Sequence, residues 1–571
     1  MKNLLSKSFA IVAVALMLSS CGCYNSMMKQ MAENLDVTCS PEYVTLKGDN
    51  AVTTVSIAVP AKAFDEWAVL KLTPVIVYDG GETAGSPVFF QGVNVEDNYT
   101  VVPYETASTM TINVSIPYSE EMRQSTLIFR GEAKCLKQGN KIKEFTALPD
   151  DFIIADGVSS IQNMANSYAE IAIAPDSFQR VTYTEKNAAI QFQINRANVR
   201  TSELNSDDIA ALEQFIIDNN IDPKRTVGDV YTQAYASPDG PLTLNDKLSV
   251  ERGETTHKAL ENRFKKNNVP ADTRFDINAM GEDWEGFKEL VQESNIEDKN
   301  LILQVLAMYS DPQVRDREIK NMTATFTVLA EKILPELRRS KMTVNVEIQG
   351  LTDEELKDAV ANNISSLTAD EMLFAATLYS DNATKAEIYK AAADQYNDYR
   401  AWNNYGTIMA WEGEYPSTET NVEKAAAINN SNPQVINNLG VLALAEGDKE
   451  EAAKYFDAST APEAKYNKGL VELANGNYSS AASSLTGYNK GLAQFLNDDY
   501  AGAKSTLSTV DNWEADYLKA VIAAREGDEA TMLENLSLAV DKGGDEAAEL
   551  AATDVNFIEY ISDEAFLNAL K

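Results

Sequence analysis

The sequence predicts three modules in series: an N-terminal all-β sandwich, a central α/β sandwich and a C-terminal α-helical solenoid. Three observations carry this multidomain reading. Hydrophobicity alternates with period two over residues 37–155. Strand patterns alternate with amphipathic helices over residues 188–349. Over residues 352–571 strand patterns vanish, alanine rises and glycines recur in pairs. A chain of 571 residues also exceeds what one core supports, since single cores stop growing near ~250–300 residues.

The N-terminus carries an export signature. Lys2 and Lys7 make a positive n-region before "FAIVAVALML", an apolar run too short to span a bilayer comfortably. "LSSC" then places small residues before Cys21. This resembles the lipobox of bacterial lipoproteins, which implies that residues 1–20 are a signal peptide and Cys21 the acylated first residue. Acyl chains anchor through ~0.8 kcal/mol per buried methylene, so the resemblance implies a membrane-moored chain. Residues 21–36 read as a polar, Met-rich lipid tether. "GCYNSMMKQMAEN" has no acidic pair of the kind found beside the anchor of surface-exported Bacteroidota lipoproteins. The expected location is therefore the outer membrane, facing the periplasm.

In residues 37–155, "YVTLKG", "TTVSIAVP", "AVLKLTPVIVY", "TMTINVSIPY" and "STLIFRGEAKCL" alternate or run apolar, with Gly, Asn and Pro between them. Several short strands with turns predict the sandwich. Residues 156–187 connect, with a short helix expected in "SIQNMANSYA".

Over residues 188–349, "NAAIQFQIN", "TVGDVYTQAYAS", "FDINAMGEDW" and "MTVNVEI" are the expected strands. Ser206 is the expected N-cap of the first helix, before Asp207 and Asp208. Thr243 is the expected cap of the second, its hydroxyl reaching the Asp246 amide. A further helical stretch covers Asp316–Arg339.

The C-terminal glycines form the pairs Gly406/Gly413, Gly440/Gly447 and Gly469/Gly476, with Gly491/Asp498 as a fourth, each seven apart. The first of each pair lets two helices approach, and the second suits a left-handed turn ending a helix. "EEAAKYF", "SSAASSL" and "AGAKSTL" place small residues on the following helix. The array resembles degenerate tetratricopeptide repeats, the last around "YLKAVIAAREGDEATMLENLSLAV". That resemblance implies a concave surface and a protein partner.

Charge and counts narrow the function. A formal charge of −37 repels phosphates, which argues against nucleic-acid binding. His257 is the single histidine, sits mid-helix beside Lys258, and has no nucleophile elbow nearby. Clustered His/Cys metal sites are excluded by count, no cofactor is implied, and the expectation is a protein that is not an enzyme. Cys39 and Cys135 lie in one region of an exported chain, and a disulfide between them stays open because spacing does not decide it.

The stretch "QAYASPDGPLTLNDKLSVERG" ends a strand, turns abruptly and starts a helix carrying Arg252. Together with "IQFQIN", "AYASPDG", "N…LS..R" and "INAMGEDW", it resembles the OmpA-like peptidoglycan-binding domain. In that family an aspartate in the turn holds the ammonium end of diaminopimelate in the stem peptide, and a helix arginine holds its carboxylate. The resemblance implies Arg252 in the arginine position and Asn245 in the asparagine position, with Ser237 replacing the aspartate. A serine accepts from an ammonium without charge, and charge-assisted bonds are roughly twice as strong. Two roles are open to Asp239, restoring the anion or forming a solvated turn. Two are open to Arg252, ligand binding or surface pairing with Asp246 or Glu251. The long insertion after "GEDW" resembles the Bacteroidota version of the domain.

Two functions follow. In the first, a periplasmic lipoprotein binds peptidoglycan through Ser237, Asp239, Asn245 and Arg252, and a protein partner through its repeats. Lipid and wall attachment then reinforce one another through effective concentration. In the alternative, the chain is a scaffold for a secretion, fimbrial or β-barrel assembly machine, and its α/β module has lost wall binding.

Overall fold

Alternation in the N-terminal sequence becomes two facing sheets. The computed structural model describes residues 36–136, 144–148, 151–166 and 168–571; the signal peptide, Cys21 and all but the last residue of the tether lie outside them. One sheet runs β11 (Val158–Ser159), β1 (Asp36–Lys47), β2 (Asn50–Val59), β7 (Ser108–Pro117). The other runs β10 (Phe152–Asp156), β8 (Ser125–Cys135), β3 (Ala68–Tyr78), β5 (Val88–Gly92), β6 (Thr100–Val102), with β4 (Gly81–Ala84) on β3 and β9 (Thr146–Ala147) on β8. Met110, Ile112, Val114 and Ile116 of β7 are buried, and every intervening residue faces outward. They meet Leu70, Phe90 and Phe129 of the second sheet in one core. The sandwich closes later than position 155, because Val158 pairs in parallel with Val44.

The bridge between Cys39 and Cys135 that the sequence left open is not formed. Cys39 is not disulfide-bonded, and its thiol lies 4.0 Å from the Ile154 carbonyl on β10. Cys135, on the opposite sheet, is disulfide-bonded, and its bridge does not run to Cys39.

The chain divides into two compact units, and the division does not follow the three sequence modules. Residues up to Ala174 join Tyr396–Lys571, while Pro175–Gln395 form the second unit. The expected solenoid is therefore shared between them.

In the second unit the sheet order is β12 (Val181–Gln191), β15 (Arg339–Gln349), β13 (Arg225–Ala236), β14 (Phe275–Glu282). β15 is antiparallel to both neighbours, and β13 and β14 are parallel. β12 begins at Val181 rather than 188, since it pairs with β15 along its whole length, Val181 against Gln349 through Gln191 against Arg339. Helices α1 (Asp207–Asn220) and α2 (Leu242–Lys266) bury Leu212, Ile216 and Leu260 against Ile190, Val230, Met342 and Val344. Ser206 caps α1, accepting from the Ile209 amide at 3.4 Å. Thr243 does not cap α2, which starts at Leu242 with Pro241 as its cap residue. The insertion folds as α3 (Trp284–Glu293), α4 (Lys299–Met308), α5 (Pro312–Asn321) and α6 (Thr323–Lys332), then a 3-10 turn, around Phe287, Val291, Ile302 and Leu329. The unit ends in α7 (Asp353–Asn363), α8 (Ala369–Thr377) and α9 (Asn382–Tyr396).

In the first unit the glycine pairs mark helix pairs. These are α10 (Tyr399–Trp411) with α11 (Tyr415–Ile428), α12 (Pro433–Ala445) with α13 (Lys449–Ala458), α14 (Pro462–Ala474) with α15 (Tyr478–Ser484), and α16 (Gly487–Leu496) with α17 (Tyr500–Leu507). A further pair is α18 (Trp513–Glu526) with α19 (Glu529–Thr553), which kinks at Gly544. A side chain on Gly440 would place its Cβ 2.6 Å from the Phe456 ring, so α12 and α13 touch only because that carbon is missing. Gly447 follows at φ 86, the left-handed turn that ends α12, and Asp498 takes the same role at φ 60.

Gln162, in the 3-10 turn Ile161–Met164 where the short helix was expected, fastens the sandwich to the array. Its Oε1 accepts from the Gly48 amide at 3.0 Å and from the Tyr478 hydroxyl at 2.7 Å, and its Nε2 donates to the Gly48 carbonyl at 3.1 Å.

Candidate functional site

The turn after β13 holds the residues singled out in the sequence. Arg252 is 1% exposed. Its Nη1 donates to the Tyr235 carbonyl at 2.7 Å, Nε to Arg196 at 3.1 Å and Nη2 to Gln193 at 3.4 Å. The guanidinium also lies 5.1 Å from the Phe192 ring centre. Burial, and then the neighbouring Arg338, lower its pKa to about 10, against an opposing pull from Asp239. Neither Asp246 nor Glu251 is its partner: Arg252 bonds main-chain carbonyls, and Glu251 lies 3.6 Å from Lys247.

Ser237 is buried and donates to Asp239 Oδ1. Arg338 closes over both, with Nε 3.2 Å from Ser237 Oγ and Nη2 3.4 Å from Asp239 Oδ2. Lys320 of the insertion donates to the Asp239 carbonyl at 2.9 Å. Asn245 is buried and donates to Glu282 Oε1 at 2.8 Å. The structure thus gathers Ser237 and Asp239 around Arg338 and holds Asn245 on β14. Arg338 follows the insertion directly, and nothing in the turn motif marks it. His257 packs against Phe275, with ring centres 4.9 Å apart and the rings tilted, and faces Glu261.

A second site escaped the sequence reading. Asn166 and residues 168–174 lie as an extended strap along the helices of the first unit, held by asparagines. Asn489 Oδ1 accepts the Asn166 amide at 2.9 Å, and its Nδ2 donates to the Asn166 carbonyl at 2.7 Å. Asn467 does the same for Glu170, at 2.7 Å both ways. Asn404 grips Ala174 at 2.7 and 2.9 Å. Asn403 and Asn437 bridge between rungs, donating to the Ala172 and Glu170 carbonyls at 2.9 Å. These asparagines are at most 2% exposed, so each needs the partner it has.

An amide side chain carries one acceptor and two donors on adjacent atoms, which matches the N–H and C=O of one extended residue. The ladder therefore reads main chain, and side-chain size is selected only where the strap is buried, at Ala172 and Ala174. The overlooked signal is regular. Asn404, Asn438, Asn467 and Asn489 each stand two positions before the first glycine of a pair. One asparagine per repeat on the face that α10, α12, α14 and α16 turn to the strap, with Asn403 and Asn437 adding a second on α10 and α12, builds the ladder.

No family model matches the chain, and no curated protein matches it. Several solved structures are similar to parts of it. A tetratricopeptide repeat protein from Parabacteroides merdae is 14% identical, covering 35% of this chain and 90% of that one, with a TM-score of 0.27. PilW, a type IV pilus biogenesis factor, is 15% identical over 36% of this chain and 98% of its own, at a TM-score of 0.27. PilF of Pseudomonas aeruginosa is 16% identical over 38% and 97%, at 0.26. At such scores the helix pairing rests on the structure itself.

Proposed function

We propose that the chain is a non-enzymatic scaffold lipoprotein, anchored through Cys21 to the periplasmic face of the outer membrane and carrying a protein partner on its helix-pair array. One observation supports this above others: the array already grips an extended polypeptide, residues 168–174, through an asparagine ladder that pairs with main chain. A surface with that chemistry recognises polypeptide rather than a small metabolite. Clamping the strap also joins the sandwich to the array within one unit, giving a partner a preformed platform with little ordering cost. Cross-linking in intact cells, followed by purification of the chain, tests this. A partner recovered in stoichiometric amount is expected, and its absence refutes the reading.

A second reading, peptidoglycan binding by an OmpA-like α/β module, is favoured by the Ser237–Asp239 pair in the turn and the electrostatic pull of Asp239 on Arg252. It requires Arg338 and Lys320 to yield Asp239 and Arg252 to turn from its carbonyls. Those costs make it the weaker reading. Sedimentation with insoluble cell-wall sacculi separates the two. Retention that is lost in Asp239→Ala, a substitution away from the carbonyl cage, supports wall binding, and no retention of the wild type removes it.

A further inference from the structure

Beside the strap lies a cleft of about 1460 Å³, bounded by the strap, the ends of α10, α12 and α14, and the β1–β2 turn. Small-molecule pockets run to ~300–1,000 Å³, so this volume suits a length of polypeptide. Its wall carries Leu444 and Leu470, and at its mouth Trp411 and Tyr415 are 50% and 57% exposed. Large aromatics at this exposure on a concave surface are characteristic of protein contact sites. The same cleft is ringed by Glu170, Glu419, Glu446 and Glu463. Lys449, the one cation among the described lining residues, is already paired with Asp49 at 2.8 Å. Glu463 Oε2 is a buried atom with no hydrogen-bond donor among the described residues, beside the cleft.

We propose that this cleft, rather than the ladder, is where the partner docks, and that its occupant is a segment of another protein carrying Lys or Arg among apolar side chains. The inference rests on the scaffold reading and deepens it. The strap fills the asparagine ladder, leaving the cleft as the apolar concave surface. Aromatics accept both the apolar side chains and, over their ring faces, the cations. Four carboxylates against one paired lysine set the sign. A second copy of this chain, at −37, presents the wrong charge, and so does an anionic lipid surface.

The test places p-benzoyl-phenylalanine at Tyr415 and, in a separate chain, at Ile561, an exposed position away from the cleft. Each full chain is irradiated in the cells that make it, and the attached segment is sequenced by mass spectrometry. The expected adduct forms at position 415, on a segment with Lys or Arg among apolar residues. A synthetic peptide of that segment then binds the wild type, and Trp411→Ala weakens it at least about tenfold. Glu463→Gln and Glu446→Gln weaken it less, and added salt weakens it in the wild type. Trp411 is half exposed, so its loss leaves folding intact, which circular dichroism confirms. Adducts at 561 but not 415, a captured segment without cations, or binding indifferent to Trp411→Ala each overturn the cleft while the scaffold reading stands. No adduct at either position, together with no partner from the cross-linking above, overturns both.

Discussion

Asn438 and Ala172 exchange a complete pair of hydrogen bonds, the amide of Ala172 donating to Asn438 Oδ1 at 2.7 Å and Asn438 Nδ2 donating back to its carbonyl at 2.8 Å. Both residues are at most 1% exposed. Asn438→Asp keeps the shape but replaces the donating nitrogen with a charged acceptor facing a carbonyl. Leaving a buried group without its partner costs about 1–3 kcal/mol, more when charge is involved. Hydrogen exchange should show the amides of 170–174 exchanging at least about tenfold faster in Asn438→Asp. Unchanged protection would mean that the rung does not hold the strap.

Ala172 and Ala174 fix how far the strap sinks. They are 1% and 0% exposed, and no larger side chain fits without displacing a helix or the strap. Overpacking typically costs about 1–3 kcal/mol. Ala172→Leu should therefore loosen the strap and open it to limited proteolysis between 168 and 174. Ile171→Ser, at a half-buried neighbouring position, should leave cleavage near the wild-type rate.

How legible was this in the sequence? The helix pairs were visible because Gly440 and Gly447 act locally, one through a missing Cβ and one through φ 86. The ladder was not, because its rungs join residues 230 to 323 positions apart. An asparagine two places before a glycine reads as an ordinary polar residue until the strap lies against it. The turn behaved similarly. Arg252 stood out as deliberate, but its acceptors Gln193 and Arg196 lie 59 and 56 positions earlier. Arg338 lies beyond an insertion whose packing the sequence did not disclose. Local steric rules survive the reading of a sequence, whereas pairings across hundreds of residues do not.

The two glycines of one repeat should fail differently. Gly440→Ala drives a methyl into Phe456 and should destabilise the array by about 1–3 kcal/mol. Gly447→Ala meets no atom within 4 Å, so only its left-handed φ is strained, at about 1–2 kcal/mol. Asparagine tolerates that conformation, as Asp498 does in a later repeat. Gly447→Asn should thus recover most of the loss in melting temperature, and Gly440→Asn none of it.

Asp516 gives the array an acid-sensitive joint. It is 3% exposed, 2.5 Å from Lys519 and 2.7 Å from Lys542. Burial alone would raise its pKa, but the two lysines outweigh burial and hold it below the usual carboxylate value of 3.8. A carboxylate with a depressed folded pKa stabilises fully above its unfolded pKa and loses that contribution as pH falls through the folded one. Asp516→Asn should cost about 2 kcal/mol at pH 7, the scale of a hydrogen bond to a charged group. The difference from wild type should shrink below about pH 4. A gap in thermal stability that stayed constant down to pH 2.5 would count against the joint.

Arg252 tests whether a buried cation in the α/β unit is scaffold or ligand group. Its lowered pKa, about 10, reports that burying the charge opposes folding, while its bonds to Tyr235, Arg196 and Gln193 offset that opposition. Arg252→Met removes both terms and leaves those carbonyls facing a thioether that cannot donate. Unsatisfied acceptors cost about 1–3 kcal/mol each, so the loss should exceed the relief. Arg252→Lys keeps the charge, but a single ammonium cannot span acceptors that the planar fork reaches together. Both variants should speed hydrogen exchange around 193–197 and at the end of β13, with Arg252→Lys no better than Arg252→Met. If Arg252→Lys kept wild-type protection, charge rather than the carbonyl cage would be what the fold requires of this residue, and the wall-binding reading would regain ground.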